Sequence, residues 1–451
     1  MSRYDLIVRG ATLVSGTAEY RADLAIADGL IAALEPELTG SAAEEIDARG
    51  LHLFPGLIDA HVHFNAPGRA DWEGFATGTR ALAAGGVTSY CDMPLNAHPP
   101  TIDAAAFDAK LAVARRDSLV DFALWGGIVP DNLERLDELA ARGVIGFKAF
   151  MSNSGIDDFP CVDDLTLYEG MQRAARLGLP VAVHAENDTI TARLARRAIA
   201  AGRTDTRAYL DSRPAIAEVE AIGRALLLAE ASGCAVHIVH VSTGRGVALV
   251  AEARAHGVDA SCETCPHYLA FTDEDMERLG AVLKCAPPLR TPSEQEALWA
   301  ALHSGAIPIV ASDHSPAPPE LKRGADFFGI WGGISGCQFT LQVLLSEGYA
   351  RRGLPLSRIA AVTAEAVARR FRLPGKGRLA VGADADLALV DLRAEVVPHA
   401  QDLFFRHRYS PYIGRTMRGR VVRTLVRGTT VFREGAIVAA PLGRLLRPTT
   451  A

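Results

Sequence analysis

Apolar positions along this chain first alternate with period two, then fall into a repeating helix–strand texture, then alternate again. Between residues 4 and 53 the alternation is that of half-buried strands. Tyr4 to Arg9 turns on Leu6 and Val8, Ala22 to Ala27 follows, and Asp28-Gly29 separates it from Leu30 to Leu34. Asp-Gly between two such runs predicts a β-hairpin. The same texture returns at Asp386 to Asp391, at Val421 to Val426 and, past Arg427-Gly428, at Thr429 to Phe432. Each end is too small a β module to stand alone. The expectation is therefore one β-sandwich built from residues 1–53 and 375–451, with the middle inserted between them.

Through that middle, residues 54–374, helical runs end in glycine and a β-branched strand begins within a few residues. This happens at Gly86-Val87, Gly143-Val144, before Val181 at Gly178, before Val236 at Gly233, at Gly257-Val258 and before Ile307 at Gly305. Glycine just past a helix end supplies the left-handed cap. Strands that alternate with helices form parallel β/α units. The strands fall near 57–63, 87–92, 121–128, 144–150, 180–185, 235–241, 258–263 and 307–312, which makes eight. Eight units predict an α/β protein of the (β/α)8 TIM-barrel class. An open doubly wound sheet would carry a Gly-rich phosphate loop after its first strand. His61-Val62-His63 occupies that place instead.

The first barrel strand, entered through Pro55-Gly56, puts Asp59, His61 and His63 on one side. Two imidazoles at i and i+2 can reach one metal ion, though an isolated His-x-His also occurs in ordinary strands. Barrel chemistry gathers at the C-terminal ends of the strands. Those ends carry His61 and His63, Lys148, His184, His240 and Asp313. Taken singly, His184 could be a core histidine bonded to backbone, Asp313 a helix N-cap and Lys148 a buried ion-pair partner. Taken together, imidazoles and a carboxylate converging on one mouth suit a borderline cation such as zinc. Cys262-Glu263-Thr264-Cys265 has half the spacing of a zinc ribbon but no second pair follows. His237, three residues before His240, is expected on the outer face of its strand. His267 lines the mouth or serves packing, and His314 supports Asp313. Asn96 and Gly68-Arg69 are either substrate contacts or turn residues.

Composition narrows the class. The 451 residues are 49% hydrophobic and 22% charged, as in a globular protein, and the net charge of −6 gives no basic footprint for nucleic acid. No run is long and apolar enough to span a membrane, and residues 1–10 lack the apolar core of a signal peptide. Seven scattered cysteines, an odd number, point to reduced thiols and a cytoplasmic setting.

The strand-end residues, Gly146-Phe147-Lys148 and Ser312-Asp313-His314-Ser315-Pro316 together resemble the dinuclear amidohydrolases, and more narrowly the cyclic-amide hydrolases: allantoinases, dihydropyrimidinases (hydantoinases) and dihydroorotases. Longer strings are similar to the allantoinase branch: His61 to Arg69, Trp72-Glu73-Gly74, Cys262 to Tyr268, Lys284 to Pro288 and Ser410 to Arg415. The resemblance implies two divalent metal ions, zinc first with manganese, cobalt or iron also fitting. His61, His63 and Asp313 would hold one, and His184 and His240 the other. Lys148 would lie between them as N6-carboxylysine, formed with carbon dioxide. It implies a bridging hydroxide that attacks the ring carbonyl, Asp313 as general base then acid, and substrate contacts at Asn153, Cys285 and Ala286. It also implies a small cyclic ureide as substrate and a homotetramer.

Substrate choice within the family turns on single positions. Dihydroorotases hold a substrate carboxylate with an arginine and an asparagine where this chain has Asn65 and Leu95, so a carboxylate would be left unpartnered at a dry site. Dihydropyrimidinases place a tyrosine where this chain has Asn153, whose amide suits a ureido arm better than an apolar substituent. The expected reaction is (S)-allantoin to allantoate, with another hydantoin or dihydropyrimidine as alternative. Residues 151–155 depart from some allantoinases in length and composition. Non-catalytic assembly relatives of dihydropyrimidinase have lost ligands, whereas all six positions are filled here.

Overall fold

The computed structural model describes residues 3–449. Its N-terminal strands are β1 (Arg3–Val14), β2 (Glu19–Ala27), β3 (Leu30–Glu35), β4 (Ser41–Asp47) and β5 (His52–Pro55). The barrel strands are β6 (Leu57–Val62), β7 (Val87–Asp92), β8 (Asp121–Leu124), β9 (Gly126–Gly127), β10 (Phe147–Phe150), β11 (Val181–His184), β12 (Val236–Ile238), β13 (Ala260–Thr264) and β14 (Ile309–Val310). The chain closes with β15 (Leu387–Val396), β16 (Met417–Val426), β17 (Thr429–Arg433) and β18 (Ala436–Ile437).

The parallel strands run β6-β7-β8 and β9-β10-β11-β12-β13-β14, with β8 and β9 a single path interrupted at Trp125. A parallel bridge from Val62 to His314 and a 2.8 Å bond from His63 N to His314 O close the ring. This is the predicted eight-stranded barrel. Gly86, Gly143, Gly178, Gly233, Gly257 and Gly305, the glycines expected at helix ends, all have positive φ.

Register shows which side chains look inward. Lys148 pairs with Ala182, Ala182 with His237, and His237 with Ser261. The neighbouring row, Phe147, Val181, Val236 and Ala260, packs into the main hydrophobic core beneath the helices. Alternation therefore places the row containing Lys148 inside the barrel.

The two chain ends pair as expected, through β5, which lies between β1 and β15 in one continuous nine-stranded sheet. That sheet bends around its own core, since Leu24 and Ile31 share a cluster with Leu387 and Leu425. Phe54 and Pro55 belong to this sheet, and the barrel strand starts at Leu57, beyond Gly56. A Cβ on Gly56 would meet Thr88 Oγ1 at 2.2 Å, so only glycine fits where the chain leaves the sheet. Lys376 pins sheet to barrel: its buried Nζ lies 2.6 Å from Asp121 of β8, 2.8 Å from Asp384 and 2.7 Å from Asp386. These three carboxylates could by spacing hold a cation, but the lysine occupies their centre. Among the described residues no helix is long and apolar enough to cross a membrane.

Candidate active site

His61 lies near the end of β6 and His63 just past it, and both are buried. Their direction is set from behind. Asp92 Oδ1 accepts from Phe64 N at 2.9 Å, and Asp92 Oδ2 is held by buried Lys110 at 2.7 Å. Asp59, inward-facing on the same strand, accepts from Ser312 N at 3.0 Å, tying β6 to the segment that carries Asp313. Burial pushes the Asp59 carboxyl up to about 7.

The predicted ligands converge. His61 Nε2 and His63 Nε2 are 3.3 Å apart, and Asp313 Oδ1 lies 3.3 and 3.4 Å from them. Across the mouth, His184 Nδ1 and His240 Nε2 are 3.1 Å apart. The rings of His61 and His240, 5.5 Å apart between centroids, join the two halves. Lys148 lies inside the barrel with its Nζ buried and, among the described residues, without a hydrogen-bond partner, 5.0 Å from the centre of the Phe150 ring. Burial lowers its pKa to about 7. Burial also lowers the pKa of His61, His184 and His240. Neutral imidazole is the form that ligates a metal. Burial opposes ionisation of Asp313, but His61, His63 and His240 outweigh it and hold the carboxyl well below its usual range.

His240 and Asp313 have φ of 39° and 44°, a region costly for non-glycine residues. Both sit one or more residues past the end of a short strand, and the turn of the backbone swings their side chains into the mouth. The same geometry corrects the expectation for His237. Strand β12 ends at Ile238, so parity cannot be counted back from His240. His237 faces the interior. Its Nδ1 is 2.8 Å from Ser261 Oγ and its Nε2 is 3.0 Å from Glu263 Oε2.

Glu263 itself was hidden inside the Cys262–Cys265 string. Its Oε1 is 2.6 Å from His61 Nδ1, and it is fully buried. Burial opposes its charge, yet His61 and His237 hold its pKa at about 2. Glu186 plays the matching part behind His184, with Oε2 2.8 Å from Nε2 and an ion pair to Arg213. Against burial, Arg213 and His184 keep Glu186 at about 2. The legible signal for both was an acid in or just beyond an otherwise apolar strand end. The seven cysteines are all unpaired. His314 Nδ1 accepts from Gly336 N at 3.1 Å and packs on Phe64 and Phe405. His267 packs on Tyr268 with its Nε2 buried and unpartnered.

Above the histidines is a cavity of about 400 Å³. Asn96, Asn153, Cys285, Ala286 and Asp313 line it. Asn153 is exposed, and its Oδ1 accepts from Gly155 N at 2.8 Å, which leaves the amide NH2 free. Cys285 O is fixed by Tyr209 Oη at 2.9 Å. Arg69 lies outside the lining, bonded to Asn96 O at 2.9 Å and to Asp158 at 3.2 Å. A glycine-rich wall, Phe328 to Gly333, closes one side, held by Lys284 and Lys322 bonding its carbonyls.

A family model described as "Amidohydrolase family" matches residues 52–431. The chain belongs to the amidohydrolase family. Within it, this amidohydrolase is similar over its length to the allantoinase of Rubrobacter xylanophilus, at 63% identity over 99% of this chain and 98% of that one. The allantoinase of Solibacter usitatus is 59% identical over 98% and 97%. Among solved structures it resembles the L-hydantoinase (dihydropyrimidinase) from Arthrobacter aurescens, with TM-score 0.96 and 37% identity over 98% of this chain and 100% of that one.

Proposed function

We propose that this chain is an allantoinase, which opens the ring of (S)-allantoin by hydrolysing its cyclic amide and yields allantoate. The observation that carries this reading is the 63% identity, over 99% of the chain, to a protein of that name. Three features of the site support a pair of divalent cations, zinc first. His61, His63 and Asp313 bring ligand atoms within 4.8 Å of one another. A second histidine pair, His184 and His240, faces them. Inside the barrel a buried amine, Lys148 Nζ, has no hydrogen-bond partner among the described residues. An ammonium there would repel cations. Carboxylation by carbon dioxide turns Lys148 into an anionic carbamate with two ligand oxygens, and a neutral, desolvated amine is the reactive form.

Bound there, the cations would supply Lewis acidity, easing loss of a proton from water and polarising the scissile carbonyl. The rest is the work of the chain. Asp313 is reachable from the cavity, takes the proton of the attacking water and passes it to the leaving ring nitrogen. Glu263 and Glu186 hold the outer nitrogens of His61 and His184 and so fix ring orientation and tautomer. The free amide of Asn153 and the backbone at Cys285 and Ala286 orient the substrate.

One observation favours a second reading. The fold superposes on an L-hydantoinase with TM-score 0.96, and a hydantoinase or dihydropyrimidinase would share the metal-holding residues and Asp313, with Asn153 as the point of difference. Assaying allantoin, hydantoin, dihydrouracil and dihydroorotate on one preparation decides between them. Allantoin should have the highest kcat/KM; clear preference for another ring would replace the first reading with the second. Two metal ions per chain and a carbamate on Lys148 are checked by elemental analysis and by Lys148→Ala. That variant should lose metal and activity, with partial rescue of both by high acetate. In this reading the enzyme works in the cytoplasm as a homotetramer, which light scattering tests.

A further inference from the structure

The cavity carries two charged side chains that the reaction as described does not use. Arg213 follows the helix Thr206–Ser212 and Asp188 opens the helix Asp188–Ala200, and both line the cavity. Arg213 is firmly set. Its Nη1 is paired with Glu186, its guanidinium lies 5.6 Å from the centre of the Tyr209 ring, and its backbone oxygen is bonded by Arg290. Its side chain is 18% exposed, toward the cavity. A guanidinium has five N–H groups, and among the described residues only Glu186 takes one. Asp188 Oδ1 accepts from Asn153 N at 3.0 Å, and its other oxygen has no hydrogen-bond partner among the described residues. The two side chains form no direct ion pair with each other, so both keep hydrogen-bonding capacity toward the cavity.

We propose that Arg213 and Asp188 form the subsite for the ureido arm of the substrate. This rests on the allantoinase reading and adds to it the residues that select the substituent. A ureido group is planar, with a carbonyl acceptor on one edge and two N–H groups side by side on the other. The guanidinium fork meets the carbonyl edge and the carboxylate meets the paired N–H edge, both in the planar geometry that makes charge-assisted bonds strong. Unsubstituted hydantoin leaves the remaining donors of Arg213 and the second oxygen of Asp188 without a partner. A site built around hydrogen bonds to a substituent rejects the analogue that lacks it far more strongly than an apolar pocket does.

The test is the ratio of kcat/KM for allantoin to kcat/KM for hydantoin, measured for the metal-loaded wild type, Arg213→Gln and Asp188→Asn. Each lost charged bond should lower that ratio about ten- to a hundredfold. Arg213→Gln also unpairs Glu186 behind His184, and Asp188→Asn, which touches no ligand or its partner, provides an arm free of that effect. A fall of equal size on both substrates in both variants would overturn the subsite and leave Arg213 as a support for Glu186. A wild type that hydrolyses hydantoin but not allantoin counts against the allantoinase reading itself.

Discussion

The two halves of the metal-site candidate use one device with opposite endings. On one side His61 leans on Glu263, which leans on His237, and all three are sealed inside the barrel. On the other side His184 leans on Glu186, which leans on Arg213, and Arg213 opens to the cavity. In both, a buried carboxylate stays charged because cationic or hydrogen-bonding partners outweigh burial. The first chain ends in the core and can only hold geometry. The second ends at the cavity, so one arginine both holds the carboxylate behind His184 and presents donors to that cavity. A carboxylate behind each histidine thus serves structure on one side and, in the subsite proposed, is tied to recognition on the other.

Asp313 belongs to the first half by distance and to the reaction by position, so it gives the largest effect. Asp313→Asn keeps one coordinating oxygen and removes the base. Turnover should fall by about a hundred- to ten-thousandfold while most metal is retained. Metal content and kinetics on the same preparation read this out; near-normal turnover with bound metal would remove Asp313 as the proton carrier.

Glu263→Gln and Glu186→Gln separate the halves. Loss of a partner behind a ligating histidine costs about ten- to a hundredfold in metal affinity, and both variants should show it by competition with a chelator. Glu186→Gln should in addition change the allantoin-to-hydantoin preference, because Arg213 loses its anchor. Glu263→Gln should leave that preference where it was. Equal shifts in both would dissolve the comparison.

The smallest effect is in stability. Glu186 titrates near 2 in the folded chain against an ordinary value of 4.5. Its folded pKa is depressed, so its contribution is complete above about pH 4.5 and is lost as pH falls through about 2. That difference sets an upper bound of about 3 kcal/mol. Urea unfolding of wild type and Glu186→Gln across pH 2–7 should show curves that converge in acid. Parallel curves would mean the carboxylate is not held in its charged form by folding.

Much of this protein was legible along the chain. Period-two runs at both ends, Asp28-Gly29, and glycines before β-branched runs are local signals, and here the local preferences agree with the fold they build. The six ligand candidates were legible because polar residues at the ends of apolar strands are costly unless they have work to do. What the chain alone determined was the succession of elements, the barrel they close into, and the residue types brought to its mouth. Tertiary structure decided the rest. It turned His237 inward, because β12 stops at Ile238 and parity does not survive a left-handed residue at His240. It put Glu263 on His61 across 202 positions of sequence. It bent both chain ends into one sheet through β5, and it aimed Arg213 and Asp188 into one cavity. These are pairings between distant segments, set by closure of the barrel and by the need of each buried charge for a partner, and no local pattern encodes which partner that will be.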